Sequence, residues 1–414
     1  MDESDVPDRG ETAEPPLRRR RWWIAAAVGV VGVCVAVVAV FLVRGPLAGA
    51  DEDDPRGDAS PATQEPMTST ASPCVTIPRL RTLADLQSIV DTTRGGPALQ
   101  GADVGADLEL EDGRRIWVMG DTLRAPDFEG QRFVRNSMLL ISDGCAQTVL
   151  PEDRGALIPD RSDGVGYWPM SIGRVHRNGV DVVGVGVQRV RSSGGVASTD
   201  FENLGPAIAV FHVEPGGVPQ LVEVKDLGRD DPSRKRPTWG AAVAVSDEWV
   251  YLYGTANPEV EGVFGYSLRV ARVHIDHLRD QSMWRYWDGS EWSRSADRAV
   301  ELIPAQGGVS QTLSVFEQDG SWYAVSKQDE FLGQDLVIWK APAPTGPFTR
   351  ASTVARIPSN AVTGQLRYMP LAHPAILPKA GTVVVSYSRN NTDVGKVEAN
   401  PFLYRPAFIR VRLP

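Results

Sequence analysis

The chain predicts an all-β fold: a five-bladed β-propeller, preceded by a single N-terminal transmembrane helix and a disordered linker. Three observations carry this expectation. Short β-type runs recur at a near-constant interval through the last three quarters of the sequence. The chain holds 40 Gly and 31 Pro among 414 residues, a density of turn formers that a helical bundle does not tolerate. One uncharged apolar run follows a cluster of arginines near the N-terminus.

That run, Ile24 to Val43, is long enough to cross a hydrocarbon layer of about 30 Å. Arg18, Arg19, Arg20 and Arg21 precede it, with Trp22 and Trp23 at the interface position. Positive residues stay cytoplasmic, so residues 1–23 are expected inside and everything after Arg44 outside. The competing reading is a cleaved signal peptide cut at Ala48-Gly49-Ala50, but the run exceeds the usual apolar core of such a peptide. Residues 44–73 are rich in Pro, Ser, Thr, Ala and acid, with too few large apolar side chains to offset the entropy of ordering. They read as a flexible extracytoplasmic linker, and the folded domain is expected over 74–414. Of three cysteines, Cys34 lies in the span, whereas Cys74 and Cys145 lie beyond it in a compartment where disulfides persist, and are expected to pair. The membrane is an expected partner through the Ile24–Val43 helix, whereas the net charge of −9 leaves no broad basic surface for nucleic acid.

Within the outer domain, Leu80, Leu83, Leu86 and Ile89 recur at helical spacing before Gly95-Gly96, predicting one helix over 80–92. Strand runs then centre near 118, 184, 251, 323 and 384 (RIWVMG, DVVGVGV, WVYLYG, SWYAVS and TVVVSY). Most have strand-like neighbours on both sides. Five units of three or four strands describe a propeller, because a lone blade cannot bury both faces and must stack around an axis. Two β-sandwich domains split near GRDDPSRKRP (228–237) are the alternative. Inner strands are expected to start near Asp103, Trp168, Trp239, Ser310 and Met369.

Asp103 opens the first inner strand and Asp121 ends the next. Adjacent strands lie about 4.8 Å apart, so both carboxylates can reach one end of the axis. Two such groups in a partly dry pocket divide into an acid and a base, as glycosidic bond hydrolysis requires. The plainer reading makes Asp121 a turn cap and Asp103 a loop residue. Trp168, Trp239 and Tyr368 fall at inner-strand starts, where they either stack sugar rings or fill the core. His373 sits on the inner run of the fifth unit as a candidate for substrate contact or a structural ion. No other metal, and no organic cofactor, is indicated. Arg389 and Asn390 are expected on a loop after TVVVSYS, as hydroxyl binders or as a plain turn. Gly-rich phosphate loops, HExxH and Gly-x-Ser-x-Gly motifs do not occur.

Asp103-Val-Gly, Met119-Gly120-Asp121-Thr122, Arg135-Asn136-Ser137, Tyr167-Trp168-Pro169, Gly346-Pro347-Phe348 and Ser386-Tyr387-Ser388-Arg389-Asn390 together resemble a bacterial propeller family, domain of unknown function 4185, with its neighbour 5005. The similarity spans roughly residues 97–413. The resemblance implies a fold similar to arabinanase-type glycoside hydrolases, Asp103 and Asp121 as the catalytic pair, and Asn136 among the substrate contacts. It also implies action on an envelope or plant furanoside polymer, since some relatives of the 4185 group are endo-D-arabinanases, and a cell-envelope polysaccharide is the expected partner. Arabinanase-type propellers place a Glu acid in the third blade, where this chain reads Trp239-Gly240-Ala241-Ala242. The acid then falls to Asp103, Asp121, or a loop residue such as Glu202 or Glu330. A non-catalytic propeller that binds glycan or a protein partner through the same pocket is the alternative from another class.

Overall fold

A computed structural model describes residues 67–92, 96–193, 201–330 and 333–414. The Ile24–Val43 run and most of the expected linker lie outside these residues. Among the described residues, no helix is long and apolar enough to cross a membrane.

The domain is an all-β propeller. Its strands form five separate antiparallel sheets in chain order, within 69–151, 166–226, 238–293, 314–356 and 365–412. The innermost strands are Gly101–Glu109, Gly166–Arg177, Thr238–Ser246, Ser314–Gln318 and Gln365–His373. Each touches the next, and the last touches the first, so the ring closes. These starts fall within about four residues of the expected ones.

The physical reason for the ring is burial on both faces of each sheet. Ile116, Val118 and Met138 of the first sheet interleave with Val183, Val185 and Phe211 of the second. Trp239, Val250 and Leu252 of the third meet Val175 and Leu227 of the second. The third and fourth sheets join through Tyr253, Leu268, Val315 and Val337, and the fourth and fifth through Tyr323, Ile338, Val383 and Val385.

The fifth sheet has only three strands, and the helix Leu83–Thr92 takes the place of a fourth at the seam with the first sheet. Leu86 and Val90 pack there with Trp117, Val384 and Phe408. A reciprocal cap starts this helix: the Asp85 amide donates to Thr82 Oγ1, and the Thr82 amide to Asp85 Oδ2. Arg405 ties its end to the seam by donating to the carbonyls of Val90 and Gln100.

Paired structure extends ahead of the expected boundary at Cys74. Met67 donates to the Leu221 carbonyl of the second sheet, and Ser69–Ala71 adds a strand against Val149–Pro151. Backbone pairing with a sheet edge orders these residues despite their polar composition. Cys74 and Cys145 are bridged, with Cα atoms 5.6 Å apart.

Candidate active site

Four of the five inner strands carry a register shift near their start, at Ala102/Val104, Pro169/Ser171, Trp239/Ala242 and Tyr368/Leu371. Such bulges bend a strand and re-aim one side chain. Asp103 lies within its shift, Trp239 and Tyr368 at the edge of theirs, and Trp168 one residue ahead of its own. In the first sheet the bulge needs Val104 at φ 60° and Gly105 at φ 109°. A Cβ on Gly105 would lie 2.4 Å from Trp117 Nε1, which explains the glycine of the Asp-x-Gly motif.

Asp103 and Asp121 come together. Asp103 Oδ1 lies against Gly120, 2.4 Å from where a Cβ would stand. The Tyr368 hydroxyl donates to Asp103 Oδ2 at 2.8 Å, and the Tyr404 hydroxyl and the Asp121 amide also donate to this carboxylate. Burial nevertheless pushes Asp103 up to about 6. Asp121 is 5% exposed and accepts from Trp168 Nε1 at 2.9 Å. Burial, with the Asp103 charge added, raises its carboxyl well above the usual range, against the pull of Trp168 and Arg135. Of the two, Asp103 has more donors favouring its ionised form, and Asp121 holds its proton.

Five of the six sequence motifs meet here. Thr122 Oγ1 and Ser137 Oγ are 2.7 Å apart. Ser388 Oγ accepts from the Val104 amide at 2.9 Å and so pins the bulge, while Asn390 donates to the Tyr368 hydroxyl at 3.4 Å. Arg135 pairs with Asp160 beside Asp121. The sixth motif lies apart, with Phe348 packed edge-on to Tyr253 in the core.

Several expected contacts change role. Asn136 is 1% exposed and spends its amide on the backbone of Ile158 and Tyr167, so it braces the loop before the second sheet and has no group left for a ligand. Arg389 and Asn390 lie inside the strand Thr382–Asn391, not on a loop. Arg389 donates to the Arg405 carbonyl and anchors the chain that brings in Tyr404. The Trp239 ring is 6% exposed and tilts against Tyr286, away from the carboxylate pair. Trp168 is edge-on to Phe201 and serves Asp121 as a donor.

His373 sits at the opposite end of its strand. Its Nδ1 faces Asp107 and its Nε2 faces Ser386 Oγ at 2.8 Å, inside a shell formed by Trp117 and Phe408. Burial alone would raise Asp107, but His373 and Arg115 hold it below the usual carboxylate range. Both ring nitrogens are taken, which leaves no lone pair for an ion or substrate. The Ser386–His373–Asp107 order matches a hydrolytic triad, yet Ser386 and His373 are each 1% exposed and no ester can reach them. Among the described residues, Glu111, His176 and Asp181 bring three ligand atoms within 4.8 Å, but Arg174 already donates to both carboxylates.

Sequence reasoning missed Tyr404, which no motif flags because it arrives from the short helical turn after Pro401. Glu330 was singled out only as a loop carboxylate. It accepts from the Gln311 amide at 2.7 Å, and burial lifts it to about 7. Glu202 pairs with Arg191 near the surface at 3.1 Å.

The fold and these paired carboxylates define an all-β propeller with a candidate acid–base site at one end of its axis. The chain belongs to the family Domain of unknown function (DUF5005), whose profile matches residues 92–413. No curated protein matches it. Among solved structures it is similar to a proposed hydrolase from Bacteroides ovatus, at 20% identity and TM-score 0.56, covering 76% of this chain and 86% of that one. It also resembles a GH43_1 enzyme from Xanthomonas citri complexed with xylotriose, at 15% identity and TM-score 0.44, over 77% and 90% of the two chains. The catalytic domain of a GH62 α-L-arabinofuranosidase from Coprinopsis cinerea follows at 11% and 0.45, over 84% and 97%. At 20% identity the likeness to the Bacteroides ovatus structure speaks to the fold.

Proposed function

We propose that this protein is a glycoside hydrolase-like enzyme acting on a cell-envelope polysaccharide, with a furanosidic, arabinan-type glycan as the leading substrate. The observation that carries the reading is the Asp103–Asp121 pair: a half-buried and a buried carboxyl, both raised, surrounded by tyrosine and tryptophan donors. Asp121, which keeps its proton, donates to the leaving oxygen. Asp103, the more readily ionised group, acts as base or nucleophile on the opposite side of the sugar. We count each of the five sheets as one blade. The Ile24–Val43 run anchors the chain with its N-terminus in the cytoplasm and the propeller outside, a reading supported by the Cys74–Cys145 bridge.

The test incubates a chain starting ahead of Met67 with arabinans, arabinogalactan and other envelope glycans, with Asp121→Asn in parallel. Loss of a general acid lowers turnover by about 10²–10⁴-fold. Released oligosaccharide that disappears in the variant is the expected result, and equal product from both chains removes Asp121 from the chemistry. A second reading, a propeller that binds glycan without cleaving it, is favoured by the third inner strand, where Ala241 and Ala242 stand in place of a carboxylate. Glycan retained on the protein with no product across the panel selects it.

A further inference from the structure

The carboxylate pair has two different flanks. The first sheet stands between the second and the fifth, and each carboxyl takes its support from a different neighbour. Asp103 accepts from Tyr368 of the fifth sheet and from Tyr404 of the turn behind it. Asp121 accepts from Trp168 of the second sheet at 2.9 Å. It also lies beside Arg135, which pairs with Asp160 of the loop leading into that sheet. The pair therefore has a fifth-sheet side, where Asp103 is held, and a second-sheet side, where Asp121 is held.

An aromatic wall stands on the second-sheet side. The second and third strands of that sheet, Val180–Ser192 and Phe201–Val213, outreach its inner strand. Gly166 of the inner strand pairs with Val190, whereas Phe201 pairs with Ser192, two residues further out. The overhang sets the Phe201 ring edge-on to Trp168, centroids 4.7 Å apart, next to the indole N–H that holds Asp121. Both rings are half-buried. Among the described residues, neither takes part in the apolar clusters that join the second sheet to its neighbours, so core packing does not account for Phe201. A flat apolar surface beside a proton donor suits a sugar ring, whose C–H face packs on aromatic carbon while its hydroxyls stay in water.

The two sides of the pair set the direction of the substrate. When the glycosidic bond breaks, the proton of Asp121 goes to the leaving oxygen. One water supplies the hydroxyl that ends on the anomeric carbon, and its other proton returns to the carboxyl pair, so no further reactant is needed. The sugar that carries the leaving oxygen must lie against the proton donor, and the sugar that carries the anomeric carbon against Asp103. We propose that Trp168 and Phe201 form the subsite for the leaving sugar, so that the glycan runs with its reducing end over the second sheet and its non-reducing part towards Tyr368 and the fifth. The assignment rests on the reading of Asp121 as proton donor to a glycan.

The test uses the full chain in detergent and compares kcat/KM for a linear arabino-pentasaccharide with that for arabinobiosyl fluoride, whose leaving group is one atom and needs no wall. Phe201→Ala lowers the pentasaccharide value by about five- to tenfold more than the fluoride value. Phe201→Tyr, which keeps the ring, brings the ratio back to that of the wild-type chain. Should Phe201→Ala fail to fold, Phe201→Leu makes the same comparison with apolar bulk but no flat face. An equal loss on both compounds, or no loss on either, overturns the leaving-side subsite while the hydrolase reading stands. A greater loss on the fluoride overturns the direction of the chain. Cleavage of neither compound by the wild-type chain overturns the arabinan reading and the subsite with it.

Discussion

Replacing Asp103 with Asn makes the chain more stable at neutral pH, and by an amount the site itself sets. The carboxyl moves from 3.8 to about 6 on folding because burial outweighs the tyrosine hydrogen bonds. A shift of about two units, at about 1.4 kcal/mol per unit, corresponds to about 3 kcal/mol. The folded state binds this proton more tightly than the unfolded one, so the stabilisation is complete below pH about 4. It declines as pH rises towards 6 and is gone above that. Asparagine keeps an acceptor for Tyr368 without the charge, and it also relieves Asp121 of the Asp103 field that helps to raise it. Urea unfolding of both chains between pH 3.5 and 7.5 measures the effect. The curves coincide at the acid end and separate by about 3 kcal/mol near pH 7, with Asp103→Asn the more stable. Parallel curves across the whole range would refute the argument, since they would mean that Asp103 titrates as it does in the unfolded chain.

Three other outcomes follow from the same geometry. Tyr404→Phe removes a donor to ionised Asp103, so the acid limb of the pH–activity profile moves to higher pH by up to about one unit; an unmoved limb separates Tyr404 from the site. Alkylation of the non-reduced chain labels neither Cys74 nor Cys145, and replacing both by Ser lowers stability by about 4 kcal/mol in the chain-entropy account for a separation of 71 residues; labelling of both thiols contradicts the bridge. Gly186→Ala drives a Cβ to 2.4 Å from the Gly240 carbonyl oxygen, where the second and third sheets touch through backbone. That substitution is expected to cost about 1–3 kcal/mol by overpacking, and an unchanged unfolding midpoint would show that the two sheets can move apart freely.

Much of the architecture was legible because propeller strands are local events. The alternation in RIWVMG or TVVVSY, and the turns between hairpins, belong to neighbouring residues, so the interval between units survives in the sequence. The exception is Ser69–Ala71, whose polar composition reads as linker and whose order comes from an edge about 80 residues further on. The site was legible in part for a related reason. Asp103 and Asp121 sit on adjacent strands of one hairpin, and strand spacing alone brings them together. Asn136, His373 and Arg389 were misplaced because a polar residue near a strand end looks the same in sequence whether it faces a ligand or satisfies buried backbone.

By itself the sequence determined the repeating unit, the hairpin that carries the carboxylate pair, the two cysteines that bridge, and the apolar run ahead of the domain. Each depends on composition or on short-range periodicity. Only the tertiary structure decided that Tyr368 and Tyr404, from the last sheet and the turn behind it, donate to a carboxylate about 265 residues or more away in the first. It also decided that Glu330 accepts from the Gln311 backbone amide. Ring closure joins residues from opposite ends of the chain, and the burial it creates is what moves the carboxyls from their ordinary values.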